Sequence, residues 1–192
     1  MTRIVGGTAR GRTLAVPPRG TRPTADRTRE ALFNRLDTLL EVSGSRVLDL
    51  YAGSGALGLE ALSRGAAQVT FVDNDRRAAA VIEDNAAVVD ARAMGGGVVR
   101  VVVRAVDAFL LARAPSPEAR YDVIFADPPY ATSEDEVAAT LAAVCTPAWC
   151  ADGAVIVLER SARGPVPRWP DGVEALASKR YGEASLWYGR RR

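Results

Sequence analysis

Asp49-Leu-Tyr-Ala-Gly-Ser-Gly-Ala-Leu-Gly58 stands between a strand-like run, Arg46-Val-Leu-Asp-Leu-Tyr51, and an apolar-periodic helix running from Leu57 to Arg64. A strand that ends in glycines and turns straight into a helix forms a cofactor-binding βα turn. Gly53 and Gly55 lack the Cβ that would hold a ligand away from the backbone. Gly58 lets the helix approach the sheet, and the first helical N–H groups have no intrahelical acceptor. The G-x-G-x-x-G spacing alone also fits a tight turn that binds nothing. Asp73 adds what the glycines lack: it ends the next strand-like run, Gln68-Val-Thr-Phe-Val-Asp73, where a carboxylate accepts both ribose hydroxyls of an adenosine-type cofactor. The pair selects a nucleoside cofactor without saying which one.

Outward from this turn the elements alternate. The pattern predicts strand 46–51, helix 56–64 closed by Gly65, strand 68–73, helix 76–91 and a turn at Gly95-Gly-Gly97. It continues with strand 98–103, a short helix 106–112, strand 121–126, helix 134–144 and strand 153–158. Such alternation builds a mostly parallel α/β sheet covered by helices on both faces. After Pro165, Pro167 and Pro170 come two strand-like runs, Val173 to Tyr181 and Ala184 to Gly189, with no helix between them. The sheet is therefore expected to finish in an antiparallel hairpin. On the amino-terminal side, residues 3–17 read as two short strands around a glycine turn. A hairpin this small has no core of its own and must lean on something else. Leu32, Phe33, Leu36, Leu39 and Leu40 then mark an amphipathic helix, with Thr24 or Asp26 as its cap. Residues 1–40 form a basic extension, and residues 41–192 form the core.

With 192 residues, 48% of them hydrophobic and 25% charged, the chain is long enough for one buried core plus an appendage. Arg100 and Arg104 interrupt the most apolar stretch, so no membrane span is expected, and the cytoplasm is the default compartment. Cys145 and Cys150 are close neighbours without further ligands, and the chain has no histidine. That excludes imidazole chemistry and argues against a metal site. The net charge of +2 conceals a segregation. Residues 1–35 carry eight arginines against Asp26 and Glu30, a net +6; residues 36–159 carry a net −9; and residues 160–192 return to +5. A basic head and tail around an acidic middle suit a polyanion at the edge and a neutral or cationic ligand in the centre.

Asp127-Pro-Pro-Tyr130 follows the apolar strand Tyr121-Asp-Val-Ile-Phe-Ala126. Loops at the carboxyl ends of parallel strands open into one crevice, so this loop shares a site with the glycine turn. Pro128 and Pro129 stiffen the backbone and remove two N–H donors, which leaves the Asp127 carboxylate and the Pro128 carbonyl as acceptors. An exocyclic aromatic amine offers two matching N–H groups. Two acceptors orient it and favour a pyramidal nitrogen whose lone pair can attack, while Tyr130 stacks on the ring.

These two motifs, in this order, resemble a class I S-adenosylmethionine-dependent methyltransferase and, more narrowly, the RsmD family, which methylates the N2 of a guanine in small-subunit (16S) ribosomal RNA, the guanine-966 type. Gly6-Gly-Thr-Ala-Arg-Gly-Arg12, Thr21-Arg-Pro-Thr24 and Arg29-Glu-Ala-Leu-Phe33 narrow the choice beyond the glycine turn and D-P-P-Y. Tyr51 and Asp73 stand where such enzymes often carry Phe and Glu. The resemblance implies a single Rossmann-like class I domain with a seven-stranded sheet. It implies a cofactor cradle of Asp49, Tyr51, Ala52, Gly53, Ser54, Gly55, Asp73, Asn74, Val106 and Asp107 for S-adenosyl-L-methionine, and catalysis by Asp127, Pro128, Pro129 and Tyr130. It also implies RNA contacts from Arg10, Arg12, Arg22, Thr24, Arg27 and Arg29, with Asn85 either supporting the active-site side or lying on a helix surface. The expected partner is small-subunit ribosomal RNA, within an assembled or late-assembly subunit, with no membrane and no metal. Adenine-N6 methylation of DNA, a nicotinamide-dependent oxidoreductase and a non-enzymatic RNA-binding module remain as alternatives. Deleting residues 1–20 is expected to spare folding, because that hairpin supplies neither motif.

Overall fold

The computed structural model describes residues 1–17, 26–89 and 97–192. Its strands are β1 (Thr2–Arg3), β2 (Thr13–Leu14), β3 (Arg46–Leu50), β4 (Gln68–Asp73), β5 (Val98–Val103), β6 (Tyr121–Ala126), β7 (Cys150–Ser161), β8 (Val173–Tyr181) and β9 (Ala184–Arg191). Its α-helices are α1 (Asp26–Leu36), α2 (Ala56–Ser63), α3 (Arg76–Val89), α4 (Val106–Leu110) and α5 (Glu134–Val144). Seven strands form one sheet in the order β5-β4-β3-β6-β7-β9-β8. The first five are parallel, and β9 runs antiparallel between β7 and β8. The expected α/β sheet with its closing hairpin is what the chain forms. No helix among the described residues is long and apolar enough to cross a membrane.

Strands β3, β4 and β6 read as continuous apolar runs because both of their faces are covered. Val47, Val69, Phe71, Val123 and Phe125 meet α1, α2 and α3 on one face; Leu48, Leu50, Val72, Ile124 and Ala126 meet α4 and α5 on the other. At Gly58 α2 packs tightly on the sheet. A Cβ there would lie 2.3 Å from the Phe71 ring and 2.7 Å from Val69, distances that exclude a side chain. Helix α5 starts with a capping box, in which Ser133 Oγ accepts from Glu136 N–H and the Glu136 carboxylate accepts from Ser133 N–H.

The amino-terminal hairpin departs from the expectation of a dispensable appendage. Ile4, Ala9 and Leu14 are buried in the same core cluster as Leu32, Phe33, Leu36, Leu59 and Phe71. The fully buried Glu60 of α2 accepts from Val5 N–H and Gly6 N–H, each at 2.8 Å, and from Arg64 Nε at 3.0 Å. Thr8 N–H donates to the Ser63 carbonyl, and Ala9 N–H donates to Ser63 Oγ. The leaning partner that so small a hairpin requires is α2, and the hairpin seals the core it leans on.

Arg29 also departs from its expected role. Its side chain is completely buried; it donates to Thr2 Oγ1 at 3.1 Å, to the Arg3 carbonyl and to Asp26 Oδ1 at 3.0 Å, and it lies 3.6 Å from the Glu60 carboxylate. An arginine with those partners and no exposure clamps the hairpin to α1 and α2 and cannot reach an RNA phosphate. Arg22 and Thr24, expected at the helix start and on RNA, lie outside the described residues. Asp26, the other candidate cap, opens α1 with its carboxylate engaged by Thr2, Arg3 and Arg29. The last three arginines also have protein partners, although Arg192 stays largely exposed. Arg190 donates to the Leu39 carbonyl at 2.8 Å, Arg191 pairs with Asp152, and Arg192 pairs with Glu174 at 3.5 Å.

Candidate active site

The sheet order reverses between β4-β3 and β6-β7, and a crevice opens beyond the carboxyl ends of these strands, as α/β topology requires. A cavity of about 1280 Å³ occupies it. Four carboxylates from four adjacent strand ends share one side of this opening. Val47, Phe71, Phe125 and Val157 all face α1, α2 and α3, and side chains alternate along a strand. Two residues further on come Asp49, Asp73, Asp127 and Glu159, and all four line the cavity.

The glycine turn is held by the two carboxylates that the sequence singles out. Asp73 Oδ2 accepts from Gly53 N–H, and its Oδ1 accepts from Asp75 N–H, each at 2.9 Å. Asp49 Oδ2 accepts from Gly58 N–H at 2.9 Å. Tyr51, at the start of the turn, has φ of 60°, a left-handed conformation that costs a non-glycine residue about 1 to 3 kcal/mol and clusters at functional sites. Its hydroxyl lies 3.2 Å from Thr140 Oγ1 of α5, which ties the turn to the opposite wall. Burial lifts the Asp49 carboxyl to about 8, with the Asp73 charge adding to the rise against the Gly58 hydrogen bond.

The D-P-P-Y loop faces this turn. Burial raises the Asp127 carboxyl well above the usual carboxylate range, and the nearby charges of Glu159 and Asp49 raise it further. Arg160, the residue after Glu159, is buried and spans the loop from behind. It donates to the Thr132 carbonyl at 2.9 Å and to the Glu134 carboxylate, and lies 3.5 Å from the Pro129 carbonyl. The Pro129 carbonyl also accepts from Thr132 N–H at 2.9 Å. Tyr130 is 53% exposed at the mouth, a position from which its ring can cover a planar ligand.

Most of the expected residues meet here. Asp49, Tyr51, Ala52, Gly53, Ser54, Asp73, Asn74, Val106, Asp107 and Asp127 to Tyr130 line the cavity, and so does Arg27 from the first turn of α1. Gly55 does not. Its φ of 75° makes it the residue that starts α2, and a Cβ would press on Ile82 and Phe71 at 3.2 Å. Arg10 and Arg12 are exposed on the hairpin, outside the cavity lining. Asn85 is 2% exposed rather than on a helix surface. Its Oδ1 accepts from Ala15 N–H at 2.8 Å, and its Nδ2 donates to the Ala15 carbonyl at 2.9 Å and the Ser54 carbonyl at 3.0 Å. It thus joins the amino-terminal hairpin to the glycine turn.

Three features escape sequence reasoning. Glu159 and Arg160 fall just past the expected strand 153–158, and the β8–β9 turn reads only as a sheet edge, yet Glu159 lines the cavity and Tyr181, Gly182 and Glu183 close one side of it. The acidic block in the middle of the sequence was the only signal for the first of these. Among the described residues, eight carboxylates and one cation, Arg27, line the opening, so its field favours a positively charged ligand.

A family model described as conserved hypothetical protein 95 matches residues 2–190. Ribosomal RNA small subunit methyltransferase D of Escherichia coli strain K12 is 40% identical over 169 residues, 88% of this chain and 79% of that protein. The protein of the same name from Haemophilus influenzae is 36% identical over 165 residues, 85% of this chain and 81% of that one. Among solved structures, the putative methyltransferase YhhF of Escherichia coli superposes with a TM-score of 0.81 at 35% identity, covering 98% of this chain and 97% of that one.

Proposed function

The chain belongs to the family of ribosomal RNA small subunit methyltransferase D, and from that premise we propose that it transfers a methyl group from S-adenosyl-L-methionine to the exocyclic N2 of a guanine in 16S ribosomal RNA, of the guanine-966 type. The observation that carries this reading is that Asp127 and Pro128 line the same cavity as a glycine turn braced by Asp49 and Asp73. When bound, S-adenosylmethionine supplies an electrophilic methyl on a sulfonium sulfur that leaves as a neutral thioether.

The chain's residues suit that cofactor. Asp73 offers its remaining lone pairs to ribose hydroxyls beside the open Gly53 backbone, Val106 and Asp107 flank the place for the adenine, and Asp49 favours the ammonium and sulfonium charges. A pyrophosphate would meet the Asp49 and Asp73 carboxylates at the same turn, which weakens the oxidoreductase alternative. Asp127 and the Pro128 carbonyl accept the two amine hydrogens, turn the nitrogen lone pair away from the ring system and hold it in line with the methyl donor. Tyr130 stacks on a base splayed out of its RNA. As the C–N bond forms, N2 becomes cationic, and the surplus proton leaves through Asp127 or water. Arg27 at the cavity mouth and the exposed Arg10 and Arg12 on the hairpin would contact RNA phosphates, and an assembled or late-assembly small subunit is the proposed partner.

Small subunits from a strain lacking the modification, incubated with methyl-labelled S-adenosylmethionine and mapped by nucleotide, test the reading. Labelling at one guanine N2 is expected. Asp127→Ala and Tyr130→Ala should each lower turnover by roughly 100-fold or more, the scale of losing one positioned group, while cofactor affinity measured by calorimetry stays close to the parent's. Near-normal turnover in Asp127→Ala would refute the amine-orienting role.

A further inference from the structure

The last register pair between β6 and β7 is Ala126 with Leu158, so the next residues, Asp127 and Glu159, are neighbours across two parallel strands and point to the same side of the sheet. Both line the cavity. Glu159 is 8% exposed and is fixed from its other edge by register with Leu186 of β9. Arg160 then donates to the Thr132 carbonyl at 2.9 Å, just past the D-P-P-Y loop, and reaches the Pro129 carbonyl at 3.5 Å, so the wall that carries Glu159 and the wall that carries Asp127 are tied together. The charge of Glu159 is close enough to raise the Asp127 carboxyl, second only to burial as the cause.

We infer that Glu159 accepts the N1–H of the target base, next to the amine held by Asp127 and Pro128, and thereby selects guanine over adenine. Guanine presents N1–H and N2–H₂ as contiguous donors along one edge. Adenine presents a donor at its amine but a lone pair at N1, which an ionised carboxylate repels. A D-P-P-Y loop alone grips either amine; the second carboxylate is what tells them apart. Drawing on the N1–H also pushes electron density toward N2 and makes it a better nucleophile, with no further proton transfer. This inference rests on the guanine-N2 reading above.

The test uses the full-length protein and small subunits reconstituted from ribosomal RNA carrying guanine or 2-aminopurine at the acceptor position. 2-Aminopurine keeps the 2-amine and replaces N1–H by a lone pair. The parent is expected to prefer guanine in kcat/KM by roughly 10- to 100-fold, the worth of one well-made base-edge contact. Glu159→Gln, whose amide can turn to donate to that lone pair, should cut this preference to within about 3-fold while its Tm and cofactor affinity match the parent's. A parent that treats the two bases alike overturns the inference, and this arm decides it even if the variant fails to fold. An undiminished preference in a folded Glu159→Gln overturns it as well. No methylation of guanine by the parent would overturn this inference together with the reading beneath it.

Discussion

Glu60→Ala should release the amino-terminal hairpin from the core. The Glu60 carboxylate is fully buried and serves two backbone N–H groups at 2.8 Å, Arg64 Nε at 3.0 Å and, at 3.6 Å, Nε of a completely buried Arg29. Removing one member of a buried ion pair leaves the other charge desolvated, which costs about 3 to 5 kcal/mol. That is a large part of the roughly 5 to 15 kcal/mol that holds an ordinary domain folded. Glu60→Gln, which keeps an acceptor oxygen but loses the charge, should cost about half as much. Urea unfolding followed by circular dichroism measures both, and limited proteolysis reports whether the hairpin opens before the sheet does. In a chain truncated after the hairpin the substitution should cost less, since Val5 and Gly6 are gone. That truncated chain starts from a weaker position, because Ile4 and Leu14 are 1% and 0% exposed and each contributes roughly 1.5 to 3 kcal/mol by its burial. A loss under about 1 kcal/mol in Glu60→Ala would refute the clamp and return the hairpin to the status of a removable arm.

Two further outcomes are expected. The folded pKa of Asp49, about 8, stands far above the roughly 3.9 of an unfolded chain, so the folded state binds the extra proton between those values. The contribution of this group to stability is full below about pH 4 and is lost as pH rises through about 8, by at most about 1.4 kcal/mol per pH unit. Asp49→Asn, which keeps an oxygen for the Gly58 N–H, should therefore flatten the fall in Tm of the ligand-free protein between pH 5 and pH 8; parallel profiles for parent and variant would refute the buried-carboxyl account. Replacing Arg10, Arg12 and Arg27 together by Ala should reduce the slope of log affinity for small-subunit RNA against log salt by roughly 2, at about 0.7 per phosphate contact in single-stranded RNA. An unchanged slope would remove these three from the RNA interface.

The sequence by itself determined the sheet and the two loops that face each other across its switch point. Glycine turn, Asp73 and D-P-P-Y are local signals at strand ends, and parallel α/β topology delivers all strand ends to one crevice, so their meeting needed no coordinates. What each charge does was decided elsewhere. Arg29 looked like its neighbours in a basic head, yet a carboxylate on α2, thirty-one positions away, draws it into the core. For Asn85 the sequence left open a supporting role at the site or a place on a helix surface; its bonds to Ala15, seventy positions away, and to Ser54 decide for the former. Glu159 became part of the site only through its register beside Asp127, and the β8–β9 turn only through the antiparallel return of β9 along β7. Periodicity and turn chemistry act over a few residues and can be read along the chain. Burial, and with it the choice between a solvated charge and a buried partner, depends on which distant element supplies the counter-charge, and only the tertiary structure makes that pairing.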